Sequence, residues 1–188
     1  ERLWVVGSNE KTAPVIEESY KRFLAIMENH LANSPFILGQ KPSSSDFAIF
    51  GQLTQLIGFD PTSRNIAHEI SKRTVAWINS MEDLSGLKIE NKEWLDVDSV
   101  PSSLKELLGE VGKVYAPALI ANAKALENGD ETWETEIDGV VWSQKAFPYQ
   151  AKCLKWIREE FENLSEEDRA RVLEILDGSL SLIHISEP

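Results

Sequence analysis

Between Pro35 and Gly51 the chain carries nearly every local signal that starts a helix. Ser43 is placed to be the N-cap, its hydroxyl accepting from the amide of Asp46. The Asp46 carboxylate can reach back to the amide of Ser43, which makes a capping box with Asp where Glu is usual. Gly39 lets the incoming chain turn, and Pro42 stiffens the residue before the cap. Beyond the cap, Phe47, Phe50, Leu53, Thr54 and Ile57 share one helical face. The residues predict a helix from Ser43 to about Gly58, and Asp46 reads as a structural acid, not a catalytic one.

The same reasoning lays out the rest of the chain. A first helix is predicted from about Thr12 to Asn33, with an apolar stripe of Ile16, Tyr20, Phe23, Leu24, Met27 and Leu31. Asp60-Pro61 restarts the chain as N-cap and first helical residue. One helix should follow, with Ile66, Ile70, Thr74, Trp77, Ile78 and Met81 on one face, ending near Ser85-Gly86. Leu87 to Val100 reads as a connector whose Trp94 and Leu95 pack on the core. Pro101-Ser102-Ser103 with Glu106 starts another helix carrying Leu104, Leu107, Leu108, Val111, Tyr115 and Leu119. Pro117 should kink it, and it should stop near Asn128-Gly129.

The period then changes. Trp133 to Ile137 and Val140 to Ser143 flank Asp138-Gly139, the pair that a type I′ hairpin turn favours. Trp133, Thr135 and Ile137 alternate with Glu134 and Glu136, so the apolar face should pack on helices. Pro148 opens a helix with Tyr149, Cys153, Trp156, Ile157 and Phe161 on one face. Leu164-Ser165-Glu166-Glu167-Asp168 starts a last short helix by a capping box.

A net charge of −12, from 19 basic and 31 acidic residues spread along 188, argues against nucleic acid and against an anionic membrane surface as partners. No apolar run approaches the roughly 20 residues of a spanning helix. At this length one domain can bury roughly 70% of its unfolded surface. The single cysteine, Cys153, leaves no intrachain disulfide and no thiolate-cluster metal site. It sits four residues after Tyr149 on the apolar stripe and reads as a small buried hydrophobe. Its place near a helix start leaves a nucleophilic role open. His30, in a polar setting near the end of the first helix, and His68, among polar residues, have no partner at ligand spacing, so no metal is expected. The sequence contains no Gly-rich phosphate loop and no Ser-His-Asp set.

An apolar residue three before Gly39, then Pro42-Ser43 and Asp46-Phe47-Ala48, resembles the motif of the glutathione transferase C-terminal domain. The resemblance continues through Gln52-Leu53-Thr54 to Asp60-Pro61-Thr62, Val75-Ala76-Trp77-Ile78, Met81-Glu82-Asp83-Leu84-Ser85-Gly86 and Phe147-Pro148-Tyr149. The whole run is similar to a bacterial group of longer glutathione transferase-like proteins, over about Gly7 to Asp177. It implies an all-α helical bundle of the transferase C-terminal type, with an added β-hairpin and C-terminal helices. The expected division is a transferase-like helical domain over 1–128, its first helix missing, and an extension over 129–179.

In that family a thioredoxin-like N-terminal domain binds glutathione and carries the thiol-activating residue. The resemblance therefore implies a cytoplasmic protein that joins glutathione, its co-substrate, to apolar electrophiles. This chain would supply the electrophile side, with no catalytic residue of its own. Tyr20, Trp77 and Tyr115 could line the apolar substrate pocket. The partners implied are the thioredoxin-like domain and a second copy in a homodimer. Transferase-type C-terminal domains also occur as non-catalytic protein-interaction modules, and that alternative stays open.

Both ends read as cut. The chain opens without Met in an apolar run. Residues 180–188 fit the codons CTG TCT CTT ATA CAC ATC TCC GAG CCC, which resemble a transposase-type sequencing adapter read in frame. That tail, with His184, is expected to be a library artefact and is left out of the fold reasoning.

Overall fold

A computed structural model describes residues 3–90, 93–177 and 179, the side chain of Trp4 excepted. The expectation for 180–188 lies outside them. The chain forms two compact units, one of residues 20–104 and the other of the described residues within 1–19 and 105–188. It is mostly helical, with one two-stranded antiparallel hairpin.

In the first unit, the later turns of α1 (Ala13–His30) join α2 (Ser44–Leu56), α3 (Pro61–Ile70) and α4 (Lys72–Glu82). Leu24, Phe36, Leu53, Ile57, Ala67, Trp77, Ile78 and Met81 form its buried core. Two expected stripes are displaced. On α1 the buried residues include Val15 and Ile26, while Ile16 is exposed. On α2 Leu53 and Ile57 are buried, but Phe47 is half-exposed.

The single helix expected after Asp60 is two helices. Ser71 breaks it, at φ −140° and ψ 87°, ending α3 and capping α4. Its hydroxyl accepts from the Thr74 amide at 3.1 Å and donates to Glu28 Oε2 at 2.9 Å. Glu28 also takes the Arg73 amide at 3.0 Å and pairs with the Arg73 guanidinium. The break is therefore specified from α1, 43 residues away.

The second unit holds the first turns of α1, α6 (Ala116–Asn128), the hairpin β1 (Thr132–Ile137) and β2 (Val140–Lys145), α7 (Pro148–Glu162) and α8 (Glu166–Leu176). Asp138 and Gly139 sit at φ 53° and 80°, the left-handed pair that a two-residue hairpin turn requires. Thr135 faces Trp142 and Ile137 faces Val140 across the strands. Trp133, Ile137 and Trp142 are buried with Val15 and Ala125.

Between α5 (Ser102–Glu110) and α6 the backbone widens into a π-helical turn, Val111–Tyr115. Pro117 lies just beyond. It has no amide hydrogen, and its ring would clash with the carbonyl four residues back in a tight α-turn. The wider turn accommodates it, closed by the Ala116 amide on the Val111 carbonyl.

α7 does not bury the expected stripe. Its buried residue is Leu154, while Tyr149, Trp156 and Ile157 are exposed and Cys153 is half-buried. The cause is the link into the helix. Asn122 of α6, fully buried, donates to the Phe147 carbonyl at 3.0 Å and accepts the Phe147 amide at 2.7 Å. That clamp fixes where α7 begins, and α7 then packs on α6 through its Leu154 side.

Two consequences are measurable. Asn122→Ala leaves the Phe147 amide without its partner and its carbonyl with the Gln150 amide alone, and should cost about 1–2 kcal/mol by urea unfolding; an unchanged midpoint would show that the clamp contributes nothing. Glu28 is pushed up by burial, but bonds from the Arg73 amide, Ser71 and the Arg73 side chain hold it below its usual 4.5. A carboxyl depressed in the folded state stabilises above its unfolded value, and the gain is lost as pH falls through the folded one. The stability gap between the parent and Glu28→Gln should be full at neutral pH and narrow below 4.5; a gap that is constant from pH 7 to 3 would remove Glu28 ionisation as its source.

Candidate functional site

The loop 35–43 is tied from four places, α1, α2, α4 and the 93–95 segment. Trp77 Nε1 donates to the Pro35 carbonyl at 3.0 Å. His30 Nε2 lies 3.1 Å from the Phe36 carbonyl. The Ile37 amide donates to Asp46 Oδ1 at 2.8 Å. Leu95 N donates to Leu38 O at 2.8 Å, and Gln40 N to Glu93 O at 3.1 Å. Gly39 sits at φ +119°, where a Cβ would come within 2.7 Å of the Leu95 amide, so no larger residue fits there.

Asp46 closes the loop onto α2. It is fully buried at N3, and its second oxygen accepts the Ser43 amide at 2.8 Å and the Ser43 hydroxyl at 2.5 Å. The capping box forms around these bonds. Asp46 thus accepts three protein hydrogen bonds in a space closed to solvent, and no substrate atom can reach it.

His30 is buried, not in a polar setting. A carbonyl only accepts, so Nε2 carries the proton towards Phe36, and Nδ1 accepts from Ser103 Oγ at 2.9 Å. His68 is exposed on α3. Among the described residues no group of three or more His, Cys, Asp and Glu could hold a metal ion. Nor is any helix long and apolar enough to cross a membrane.

The three residues singled out for an apolar pocket fall in different surroundings. Trp77 is buried in the core of the 20–104 unit. Tyr20 packs against that core and donates to the Ser63 carbonyl at 3.3 Å. Burial, then the negative charge of Asp60, pushes its hydroxyl up to about 12, so it stays protonated and acts as a donor. Tyr115 belongs to the other unit, in the π-helical turn, and is half-exposed. Burial, then the nearby Cys153, raises its hydroxyl as well. Trp94, expected on the core, is half-exposed under the Lys41 ammonium at 4.5 Å, because its segment is held by backbone pairing to Gly39 instead.

Among the described residues of the second unit lie two open clefts that no sequence motif announced. One, of about 440 Å³, lies along α6 and β1 with Pro117, Ala121, Lys124, Trp133 and Glu134 on its walls. The other, of about 630 Å³, runs between α6 and α7 past Leu126, Glu127, Lys152 and Arg158. Each combines aliphatic wall with scattered charge and brings no nucleophile beside a base. Both depend on how helices and hairpin pack, which no local pattern specifies.

The family model described as "Glutathione S-transferase, C-terminal domain" matches residues 5–93. Over that segment the chain is similar to the glutathione S-transferase C-terminal domain family. The match is narrower than 7–177 and ends where Glu93 and Leu95 pair with the loop 38–40. Comparison with the curated proteins and with the solved structures gives no match.

Asp46→Ala strips three bonds from the loop and the cap together, and should cost about 3 kcal/mol. The Ile37 and Ser43 amides should lose their protection from hydrogen exchange at the same time. Stability within experimental error of the parent would show that the capping box is not what holds this loop.

Proposed function

We propose that this chain forms the electrophile-side half of a glutathione-dependent transferase. The family match over 5–93 carries that reading, and the buried Ser43–Asp46 capping box supports it. In the complete protein a thioredoxin-like domain binds glutathione and stabilises its thiolate. The sulfur forms a bond to an electrophilic carbon as the leaving group departs. This chain contributes apolar surface for the electrophile and holds it in place. Tyr20 is not free to donate to a thiolate, because its hydroxyl is committed to the Ser63 carbonyl.

A second reading is a non-catalytic interaction module of the same fold. The exposed aromatic run of Phe147, Tyr149 and Trp156 favours it, because such a patch is unusual on a surface that meets only water.

The test is thioether formation from glutathione and an apolar aryl halide. The complete protein should turn over with a rate dependent on glutathione, and the 188-residue chain alone should not. Turnover by the chain alone would overturn the assignment of thiol activation to another domain. A complete protein that binds glutathione but forms no thioether with any of a panel of apolar electrophiles would favour the interaction module.

A further inference from the structure

We propose that the cleft between α6 and β1 binds a small neutral molecule with an apolar body and one carbonyl oxygen, which accepts a hydrogen bond from Trp133 Nε1. The cleft holds about 440 Å³ and is lined by residues between 117 and 135, beyond the 5–93 family match. Trp133 lines it and is 4% exposed. Its Nε1 is buried and has no hydrogen-bond partner. A buried indole N–H usually has one. The core around the ring consists of Val15, Ala125, Ile137 and Trp142, and none of these side chains carries an accepting atom. The cleft is the side from which an acceptor can arrive.

The walls select the body of the ligand. Pro117, Ile120, Ala121 and Ala125 of α6 line the cleft, and the two alanines leave room that larger residues would fill. A volume of this size suits a small ring compound. The charges select the polar group. Lys124, Asp130 and Glu134 are exposed at the rim, so two carboxylates stand there against one ammonium. A carboxylate ligand would be repelled at that mouth. At its buried end it would exchange full hydration for one uncharged donor. An ammonium would suit the rim but brings no lone pair to the indole N–H. An alcohol brings an acceptor together with a donor that needs a partner of its own once buried. The carbonyl of a ketone, an ester or a tertiary amide accepts and adds no donor. It satisfies Trp133 and leaves nothing unpaired.

Acetophenone is a suitable probe, with benzoate and benzylammonium as its charged counterparts. The 188-residue chain has six indole N–H groups, each giving its own proton–nitrogen resonance. Titration with acetophenone should move the Trp133 Nε1–H resonance downfield and saturate, with a dissociation constant of about a millimolar for so small a ligand. Benzoate and benzylammonium should bind at least about tenfold more weakly. Trp133→Phe keeps an aromatic ring but removes the donor, and should weaken acetophenone about tenfold. Ala121→Leu narrows the cleft, leaves the indole in place and should abolish the shift; unchanged melting temperatures would confirm that both variants fold. A Trp133 resonance that acetophenone leaves unmoved in the parent chain overturns the proposal, whatever the variants do. So does one that benzoate or benzylammonium moves at equal concentration, or one that still moves in a folded Ala121→Leu chain.

Discussion

Asp46 is one buried side chain that serves two structural purposes. It satisfies amides at the start of α2, and it holds the Ile37 amide nine residues upstream. A loop buried against a core must account for every backbone group, because an unpaired one costs as much as a lost hydrogen bond. Between Pro35 and Ser43 the account is kept by partners on α1, α2, α4 and the 93–95 segment. Asp46 is the partner that also fixes where α2 begins, so the direction of that helix and the course of the loop are set together. The core positions of α2, Leu53 and Ile57, point inwards because of that choice.

What the sequence showed plainly was what depends on neighbours. The Ser43–Asp46 box, the Asp60-Pro61 start, the Asp138-Gly139 turn and the Ser165 cap each need residues within three positions of one another. The helical class and the added hairpin followed from them, while the family came only from the resemblance of the whole motif string. What it hid depends on distant partners. Ser71 breaks a continuous apolar stripe because Glu28 comes to meet it. His30 looked solvated because its partners, Phe36 and Ser103, are invisible in its own turn; Ser103 is 73 residues away. The α7 stripe was read correctly as apolar, yet periodicity says only that a face is apolar, not that this chain covers it. The clamp that decides the matter joins Asn122 to Phe147 over 25 residues.

The candidate site was less legible than the fold for the same reason. Tyr20, Trp77 and Tyr115 are apolar aromatics on helices, and such residues serve core and pocket alike. Trp77 Nε1 is satisfied by the Pro35 carbonyl, so its polar edge is spent on holding the loop. Tyr20 is likewise committed, to Ser63. An aromatic whose polar atom is already bonded within the protein offers a ligand its ring but no directing group. On the function proposed above, recognition would then rest on shape and apolar contact, which suits a broad class of electrophiles better than a single one.

The extent of the family match and the extent of the folded unit do not coincide, and the difference has a physical meaning. The match ends at Glu93, yet the 20–104 unit draws on the residues that follow. Leu95 supplies the amide that satisfies the Leu38 carbonyl, and Ser103 supplies the hydroxyl that faces His30 Nδ1. Cut at residue 93, the chain would leave a loop carbonyl and a buried imidazole nitrogen without partners, at a cost of about 1–3 kcal/mol for each group that water does not reach. The segment beyond the family boundary is therefore part of what makes the family domain stand here. That dependence ties the tail of this unit to the Ser43–Asp46 box as closely as α2 itself.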